Sequence, residues 1–261
     1  MTETGLAIIA VLATTTAFAA WHALRYRARR RQRNVFTRWP IRTVALDEVD
    51  RVFTQTELGP GHDTEVAFVG RGAGVPGGTS DAEAWILAVL AKRARAMFEI
   101  GTCTGKTTYL WARNAFAGAE ITTLTLAPHQ HAEYASEAGD SMRAAKYAIS
   151  ESAFDRFYYS GTDVAPRITQ LYGDSKQFDE SAYVDRYDLI FIDGSHAYSY
   201  VRSDTEKALR MCRPGGLILW HDYAGRQHAS GVYRALNELA RRLPLVHVAG
   251  TTFVAYRKPS D

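Results

Sequence analysis

The chain has 261 residues, 46% of them hydrophobic, which allows one sizeable core or one ordinary α/β domain with an appendage. The formal net charge is only +3, and without the arginines clustered between Arg25 and Arg33 the remainder is slightly acidic, which argues against a general nucleic-acid-binding surface. The two cysteines, Cys103 and Cys212, are too few for a disulfide framework or a zinc cluster and are typical of a reducing compartment.

The chain begins with an apolar stretch. Residues 5–24 contain no Asp, Glu, Lys or Arg, and about 20 residues at a helical rise of about 1.5 Å match the roughly 30 Å hydrocarbon core of a bilayer. We therefore predict a single-pass anchor in the inner or plasma membrane, with residues 1–33 forming the anchor and its basic juxtamembrane segment. Arginines follow the stretch and none precedes it, so the positive-inside rule places the C-terminal bulk in the cytoplasm. The alternatives are a signal peptide cleaved near residues 17–19, a mobile tail and a buried helix.

Residues 34–78 lack a clear hydrophobic period and are interrupted by prolines and glycines. We interpret them as an N-terminal extension packed on the main domain, which comprises residues 79–261. Ser80 and Glu83 have the spacing of a capping box, and apolar residues at helical spacing follow them. A helix is therefore predicted just before the first strand.

Residues 98–108 hold the central motif, in which a short apolar strand runs into a glycine turn and a helix. A ligand is expected over such a turn. A phosphate-binding P-loop needs four residues between its first glycine and Gly-Lys-Thr, whereas Gly101 and Gly105 are separated by three. A dinucleotide fingerprint needs glycines where this chain has Cys103 and Lys106. Both interpretations are therefore weak.

Strands and helices alternate along the rest of the chain, which predicts an α/β fold. The predicted strands are residues 96–100, 120–126, 168–172, 187–192 and 217–220, with helices near 200–212 and 232–243 and a terminal hairpin made of 245–248 and 252–256. Residues 127–166 form a long, tyrosine-rich insertion of mixed charge. We interpret the insertion as a candidate lid.

The glycine turn resembles the first motif of class I S-adenosylmethionine-dependent methyltransferases. In that pattern an acid, here Glu99, stands two residues before a glycine, here Gly101, and a second glycine, here Gly105, follows four residues later. The resemblance implies that the loop surrounds the amino-acid end and ribose of S-adenosylmethionine.

The second half of the chain makes the resemblance more specific. Its sequences YDLIFIDGSHAY (187–198), RPGG (213–216) and LWHD (219–222) resemble the subgroup that includes metal-dependent sugar and catechol-type O-methyltransferases. The resemblance covers roughly residues 79–258. It implies a Rossmann-like, doubly wound, mostly parallel seven-stranded sheet that ends in an antiparallel hairpin.

The resemblance also implies a set of cofactor-binding residues: Glu99, Gly101, Thr102, Cys103, Gly105, Thr125, Asp174, Ser175 and Asp193. Asp174 matches the residue that reaches the adenine amine. Thr125 departs from the pattern, because it falls near the position of the acid that binds the ribose. A threonine hydroxyl hydrogen-bonds one ribose oxygen but cannot hold both hydroxyls with the charge-assisted strength of a carboxylate.

A metal site is expected at the ends of two neighbouring strands. Asp193 and Asp222 follow these strands on the same sheet edge, where ligand sites occur, and carboxylates suit a hard divalent cation such as magnesium. His221 is either a less usual third ligand or a donor to a ligand. The alternative is that the two aspartates bind the cofactor or cap the following helices.

His196 is the candidate catalytic base. It stands three residues beyond Asp193, and in the sugar O-methyltransferases that this stretch resembles the matching histidine is the base. Imidazole is suited to accept a proton near neutral pH.

The predicted function is methyl transfer from S-adenosylmethionine to an oxygen of a sugar, a glycan or a small hydroxylated acceptor. The predicted partners are that acceptor and a membrane, with no nucleic acid. One alternative is a membrane-tethered module that keeps the methyltransferase fold without catalysis, a hypothesis that Thr125 motivates. A nicotinamide-dependent oxidoreductase is disfavoured by the glycine spacing.

Overall fold

The computed structural model describes residues 3–30, 40–70, 72, 75 and 77–260, and it divides the chain into two units, residues 1–40 and 41–261. Arg31 and Arg33 of the expected basic segment, and Pro76 of the extension, lie outside the described residues.

The first unit contains one long helix, α1 (Glu3–Arg30). Within it, Thr4–Tyr26 spans 23 residues with a mean hydropathy of 1.7, and none of this apolar window is buried among the described residues. The hydroxyls of Thr14 and Thr15 donate to the carbonyl oxygens of Ala10 and Val11 at 2.7 and 2.9 Å, so these polar groups are satisfied within the helix. The helix is long and apolar enough to cross a bilayer, a property that an anchor and a signal sequence share.

The second unit is built on one eight-stranded sheet. Its strands are β1 (Thr43–Val44), β4 (Ala96–Ile100), β5 (Glu120–Thr125), β6 (Ile168–Tyr172), β7 (Tyr187–Ile192), β8 (Cys212–Trp220), β9 (Val246–Val248) and β10 (Val254–Arg257). Their order in the sheet is β1-β9-β10-β8-β7-β4-β5-β6. Strand β10 is antiparallel to both of its neighbours, and the remaining pairs are parallel. A separate two-stranded hairpin joins β2 (Gln55–Thr56) to β3 (Gly59–Pro60).

The expected mostly parallel sheet with a C-terminal antiparallel hairpin is confirmed, and it contains one strand more than the seven expected. The additional strand is β1, in which Thr43 pairs with His247 and Val44 with Val248. Val44 is buried, so the extension contributes to the core at this edge. A two-residue strand shows no hydrophobic alternation, which explains why the sequence pattern did not predict it.

Six α-helices lie in the described part of the second unit: α2 (Leu46–Val49), α3 (Asp81–Ala91), α4 (Lys106–Asn114), α5 (Met142–Glu151), α6 (Tyr198–Met211) and α7 (Ser230–Leu239). The predicted capping box at the start of α3 is present. The Ser80 hydroxyl oxygen accepts from the Glu83 backbone N–H at 3.3 Å, and Glu83 Oε2 accepts from the Ser80 backbone N–H at 2.9 Å.

The helices cover both faces of the sheet. Leu87 of α3 and Trp111 of α4 belong to the same core cluster as Phe191 of β7. Because side chains alternate along a strand, Trp220 of β8 points to the opposite face from Leu219, and its indole N–H donates to the Thr205 hydroxyl of α6 at 2.9 Å. In such a doubly wound arrangement, a ligand site is expected at the carboxyl ends of the parallel strands.

Candidate active site

The glycine turn brings the ends of β4 and β7 into close contact. Gly101 has φ +103°, a backbone conformation that side chains with a Cβ rarely adopt. A Cβ at this position would lie 2.3 Å from the carbonyl oxygen of Asp193. Glycine is therefore required here both for the conformation and for the close approach of the two strand ends.

A cavity opens beside this turn at the carboxyl edge of the sheet. Six of the nine predicted cofactor residues line it: Gly101, Cys103, Thr125, Asp174, Ser175 and Asp193. Its volume is about 60 Å³, whereas sites for small molecules typically hold about 300–1,000 Å³. Ala148, Glu151 and Ser152 belong to the lining from the side of α5. A cofactor-sized ligand is therefore expected to move α5 outward.

The carboxyl group of Glu99, one of the other three predicted residues, is directed into the protein. It accepts hydrogen bonds from the hydroxyls of Thr108 and Thr123, the latter at 2.7 Å. Glu99 is 1% exposed, and burial raises the pKa of its carboxyl group to about 8. The Thr102 hydroxyl is hydrogen-bonded to the same Thr123 at 2.7 Å. These side chains stabilise the turn from within and do not line the cavity.

Gly105 is the remaining predicted residue outside the cavity lining. It is the N-cap residue of α4 and has φ +76°, and a Cβ there would lie 2.8 Å from atoms of Phe157 and Tyr159. The insertion therefore packs on the second glycine of the turn. The Tyr158 backbone N–H also donates to the Thr104 carbonyl oxygen at 2.8 Å.

Asp174 follows β6 and lines the end of the cavity that lies next to this strand. Its carboxylate accepts from the Tyr200 hydroxyl at 2.8 Å and from the Lys176 backbone N–H at 2.9 Å. The rings of Tyr134 and Tyr200 stack with centroids 4.5 Å apart. This end of the cavity is thus aromatic with a fixed carboxylate, and the buried Thr125 stands on the neighbouring strand end.

His221 joins several carboxylates at the ends of β7 and β8. Its Nδ1 lies 2.7 Å from Asp193 Oδ1 and 3.4 Å from Asp222 Oδ2, and its Nε2 lies 3.5 Å from Glu83 Oε2. Burial acts to lower the pKa of His221, but the charges of Asp193 and Asp222 raise it well above the usual value. The acidic neighbours of the imidazole ring therefore favour its protonated form, which balances their charge.

His196 contacts the same carboxylate oxygen of Asp222 that faces His221. Its Nε2 is 2.7 Å from Asp222 Oδ2. Burial acts to lower the pKa of His196, but the hydrogen bond to Asp222 and the charges of Asp222, Glu151 and Asp193 raise it. The same two histidines hold the pKa of Asp222 well below its usual value, although burial opposes them. The structure thus brings together His196, Asp193, His221 and Asp222, all of which the sequence identified.

The donor set allows a test of the predicted metal. Asp193, His221 and Asp222 each offer one ligand atom, and these atoms lie within 4.8 Å of one another. Glu83 faces the other ring nitrogen of His221, as acids that orient metal-bound histidines do. Two carboxylates and an imidazole are therefore suitable ligands for a divalent cation. Such a cation would bind His221 at Nδ1 in place of the proton on that atom.

Sequence reasoning missed two acids of this region. Glu83 was recognised only as part of a capping box, yet its Oε1 also accepts from the Thr252 backbone N–H at 2.6 Å and its Oε2 faces His221. Glu151, the last residue of α5, lines the cavity. No motif surrounds Glu151, so the sequence offered no signal for it.

Residues 98–223 match the model of a family described as a methyltransferase domain. The match runs from β4 to just beyond β8 and therefore includes the glycine turn, the strand ends and the His221 cluster. Residues 98–223 thus carry the sequence pattern of a methyltransferase domain. The expected class of enzyme, an S-adenosylmethionine-dependent methyltransferase, is thus confirmed, and the acceptor is not specified by the match.

Solved structures are similar to the methyltransferase domain in fold. A methyltransferase from Podospora anserina, PaMTH1, bound to SAH, is 17% identical, with 73% of this chain and 83% of that chain covered and a TM-score of 0.50. At this identity the likeness shows the fold. The O-methyltransferase TomG from Streptomyces achromogenes, involved in tomaymycin synthesis and solved with SAM, is 19% identical over 69% and 82% of the two chains, with a TM-score of 0.47.

A third similar structure is an O-methyltransferase from Bacillus cereus in complex with SAH, 20% identical over 71% of this chain and 86% of that chain, with a TM-score of 0.47. None of the curated proteins compared with the chain matches it.

Proposed function

We propose that the methyltransferase domain transfers a methyl group from S-adenosylmethionine to a hydroxyl oxygen of a sugar, a glycan or another small acceptor. The observation that carries this proposal is the His196–Asp222 pair at 2.7 Å, beside a cavity lined by Gly101, Asp174 and Asp193. S-adenosylmethionine supplies an activated methyl group, so the protein's tasks are alignment and removal of the acceptor proton. A histidine paired with a carboxylate is suited to the second task.

His196 acts as the general base. An ionised Asp222 only accepts hydrogen bonds, so it holds the hydrogen of the His196 ring on Nε2, and the lone pair of the neutral ring then lies on Nδ1. Nδ1 therefore receives the proton of the acceptor hydroxyl. Asp222 orients the ring and stabilises the imidazolium that forms, as the acid of a catalytic triad does.

Asp193, His221 and Asp222 would hold a divalent cation, with magnesium as the first candidate. Glu83 would orient His221. Such a cation lowers the pKa of a bound hydroxyl and so eases its deprotonation.

The N-terminal helix would anchor the domain to the inner or plasma membrane, with the domain in the cytoplasm. The guanidinium carbon of Arg25 lies 4.6 Å from the centroid of the Trp21 ring, and tryptophan and arginine are both frequent where a helix leaves a membrane. Protease added outside intact cells should leave the domain whole. A digested domain, or a mature N-terminus near Trp21, would favour secretion instead.

Thr125 favours a second candidate function, a membrane-tethered module that keeps the fold but does not catalyse. Thr125 lines the cavity and offers no carboxylate for the ribose hydroxyls. In this case the Thr125→Asp variant should gain cofactor binding that the wild type lacks.

Calorimetry on the full chain in detergent micelles separates the two candidates. Titration with S-adenosylmethionine and with its demethylated product should give dissociation constants in the micromolar range for the wild type. Binding that appears only in Thr125→Asp would support the non-catalytic module, and the absence of binding in both proteins would reject the cofactor assignment.

A further inference from the structure

Most carboxylates around the cavity are already engaged by protein groups. Asp193 and Asp222 accept hydrogen bonds from histidine rings. Asp174 accepts from a tyrosine hydroxyl and a backbone N–H, and Glu99 accepts from two threonine hydroxyls behind the turn. These four acids therefore offer little free charge to a positively charged ligand.

Glu151 differs from these four acids. It lines the cavity together with Gly101, Cys103 and Asp193, and no described residue hydrogen-bonds or ion-pairs with its carboxyl group. Burial, followed by the charge of Asp193, raises the pKa of Glu151 to about 7. A partly buried acid without a protein partner is unusual, because burial without a partner is unfavourable.

Glu151 also stands on the element that closes the cavity. Helix α5 packs through Ala144 against Ala197 and Tyr200, and its C-terminal end places Ala148 and Glu151 in the cavity lining. Because the cavity is smaller than sites for small molecules usually are, we expect α5 to move outward when a cofactor enters. The carboxyl group without a partner among the described residues therefore lies on the cavity wall that the insertion supplies.

We propose that Glu151 is a cofactor-binding residue whose carboxylate contacts the positively charged end of S-adenosylmethionine. This inference rests on the proposed function. The donor carries a fixed positive charge on its sulfonium and a second on its α-ammonium group, and a cation in a partly buried site needs a counter-charge. Glu151 supplies that charge from α5, and Gly101 and Cys103 of the glycine turn line the same cavity.

Three ligands separate the two positive groups. S-adenosylmethionine has both the sulfonium and the ammonium group, S-adenosylhomocysteine has only the ammonium group, and 5′-methylthioadenosine has neither. Calorimetry on the full chain in detergent micelles compares wild type with Glu151→Gln, which removes the charge and keeps the shape. We expect about tenfold weaker binding of S-adenosylmethionine, the effect of losing one charge-assisted contact, and unchanged binding of 5′-methylthioadenosine.

The second ligand identifies the contact. If S-adenosylhomocysteine also binds about tenfold more weakly to Glu151→Gln, the carboxylate contacts the ammonium group. If its binding is unchanged, the carboxylate contacts the sulfonium, and Glu151 then favours the donor over the product.

Two further variants serve as controls. Glu133 is an exposed glutamate of the same insertion and does not line the cavity, so Glu133→Gln should bind all three ligands as the wild type does. Glu151→Asp retains the charge on a shorter side chain and should recover most of the affinity for S-adenosylmethionine.

The inference is overturned if Glu151→Gln binds S-adenosylmethionine within twofold of the wild type. It is also overturned if 5′-methylthioadenosine is weakened equally, since Glu151 would then shape the cavity without contacting a charge. A wild type that binds none of the ligands would instead reject the proposed function itself.

Discussion

The sheet edge and the insertion both line the cavity, yet they present their side chains in different ways. The edge residues Asp193, His221 and Asp222 follow buried strands, and each is engaged by other protein groups. The insertion contributes Glu151 from a helix that packs on the edge, without a partner for its carboxyl group among the described residues. The comparison indicates that the edge is preorganised for chemistry, while the insertion is left to complete the site when a ligand binds.

The largest expected effect is that of His196→Ala, which tests whether the edge carries the chemistry. Turnover should fall by roughly 10²- to 10⁴-fold, the usual contribution of a general base, with cofactor affinity little changed. Methyl-transfer assays with an identified acceptor, together with calorimetry, would measure both quantities. The exposed His129 provides the control, because His129→Ala should retain full turnover. Lost cofactor binding in His196→Ala would show that His196 shapes the cavity.

The next effect concerns the close contact between the ends of β4 and β7. Gly101→Ala should lower the free energy of unfolding by about 3–5 kcal/mol, because the new methyl group combines backbone strain with a clash against Asp193. Gly139 has a similar φ, +96°, and a methyl group added there would meet nothing within 4 Å, so Gly139→Ala isolates the strain alone. Urea unfolding of both variants should differ by about 2 kcal/mol or more. Equal losses of unfolding free energy in the two variants would contradict the close approach of Gly101 to Asp193.

The Glu83→Ala variant tests whether the contacts of Glu83 stabilise the carboxyl edge of the sheet. Glu83→Ala should lower the free energy of unfolding by about 3 kcal/mol, since it leaves His221 without one of its buried acids and the Thr252 backbone N–H without its acceptor. Urea denaturation would measure the loss. In the exposed Glu133→Ala variant, the change should stay within about 0.5 kcal/mol. A loss of that small size for Glu83→Ala would mean that this acid is not part of the structural support.

The smallest expected effect is a shift in the pH profile. A protonated His196 cannot accept a proton, so turnover should rise as the pH increases through the pKa of His196. This pKa is raised above its ordinary value because Asp222, Glu151 and Asp193 outweigh burial. Glu151→Gln removes one of these negative charges, so the rising limb should move to lower pH. Turnover measured between about pH 5 and pH 9 under saturating cofactor provides the test. A limb that moves to higher pH would contradict the assigned charges.

The sequence predicted the sheet edge well because buried strands and their terminal polar residues are local features. The capping box at Ser80, the strands that end before Asp193 and His221, and the terminal hairpin are all visible as short patterns. Strand β1 was not predicted, because its two residues are specified by pairing with β9 and not by their own periodicity.

The insertion was harder to predict because its position depends on tertiary contacts. The packing of Phe157 and Tyr159 on Gly105, and the approach of Glu151 to the cavity, connect residues that are tens of positions apart. The direction of the Glu99 carboxyl group is likewise determined by Thr108 and Thr123 on neighbouring elements. Such contacts leave no signal in a single sequence.

A crystal structure of the full chain with S-adenosylhomocysteine would test most directly whether the cavity at the sheet edge is the cofactor site. We predict ligand density bounded by Gly101 and Asp174, with α5 displaced outward from its present position. Ligand density elsewhere on the domain, or a cavity that stays closed at saturating ligand, would contradict the account.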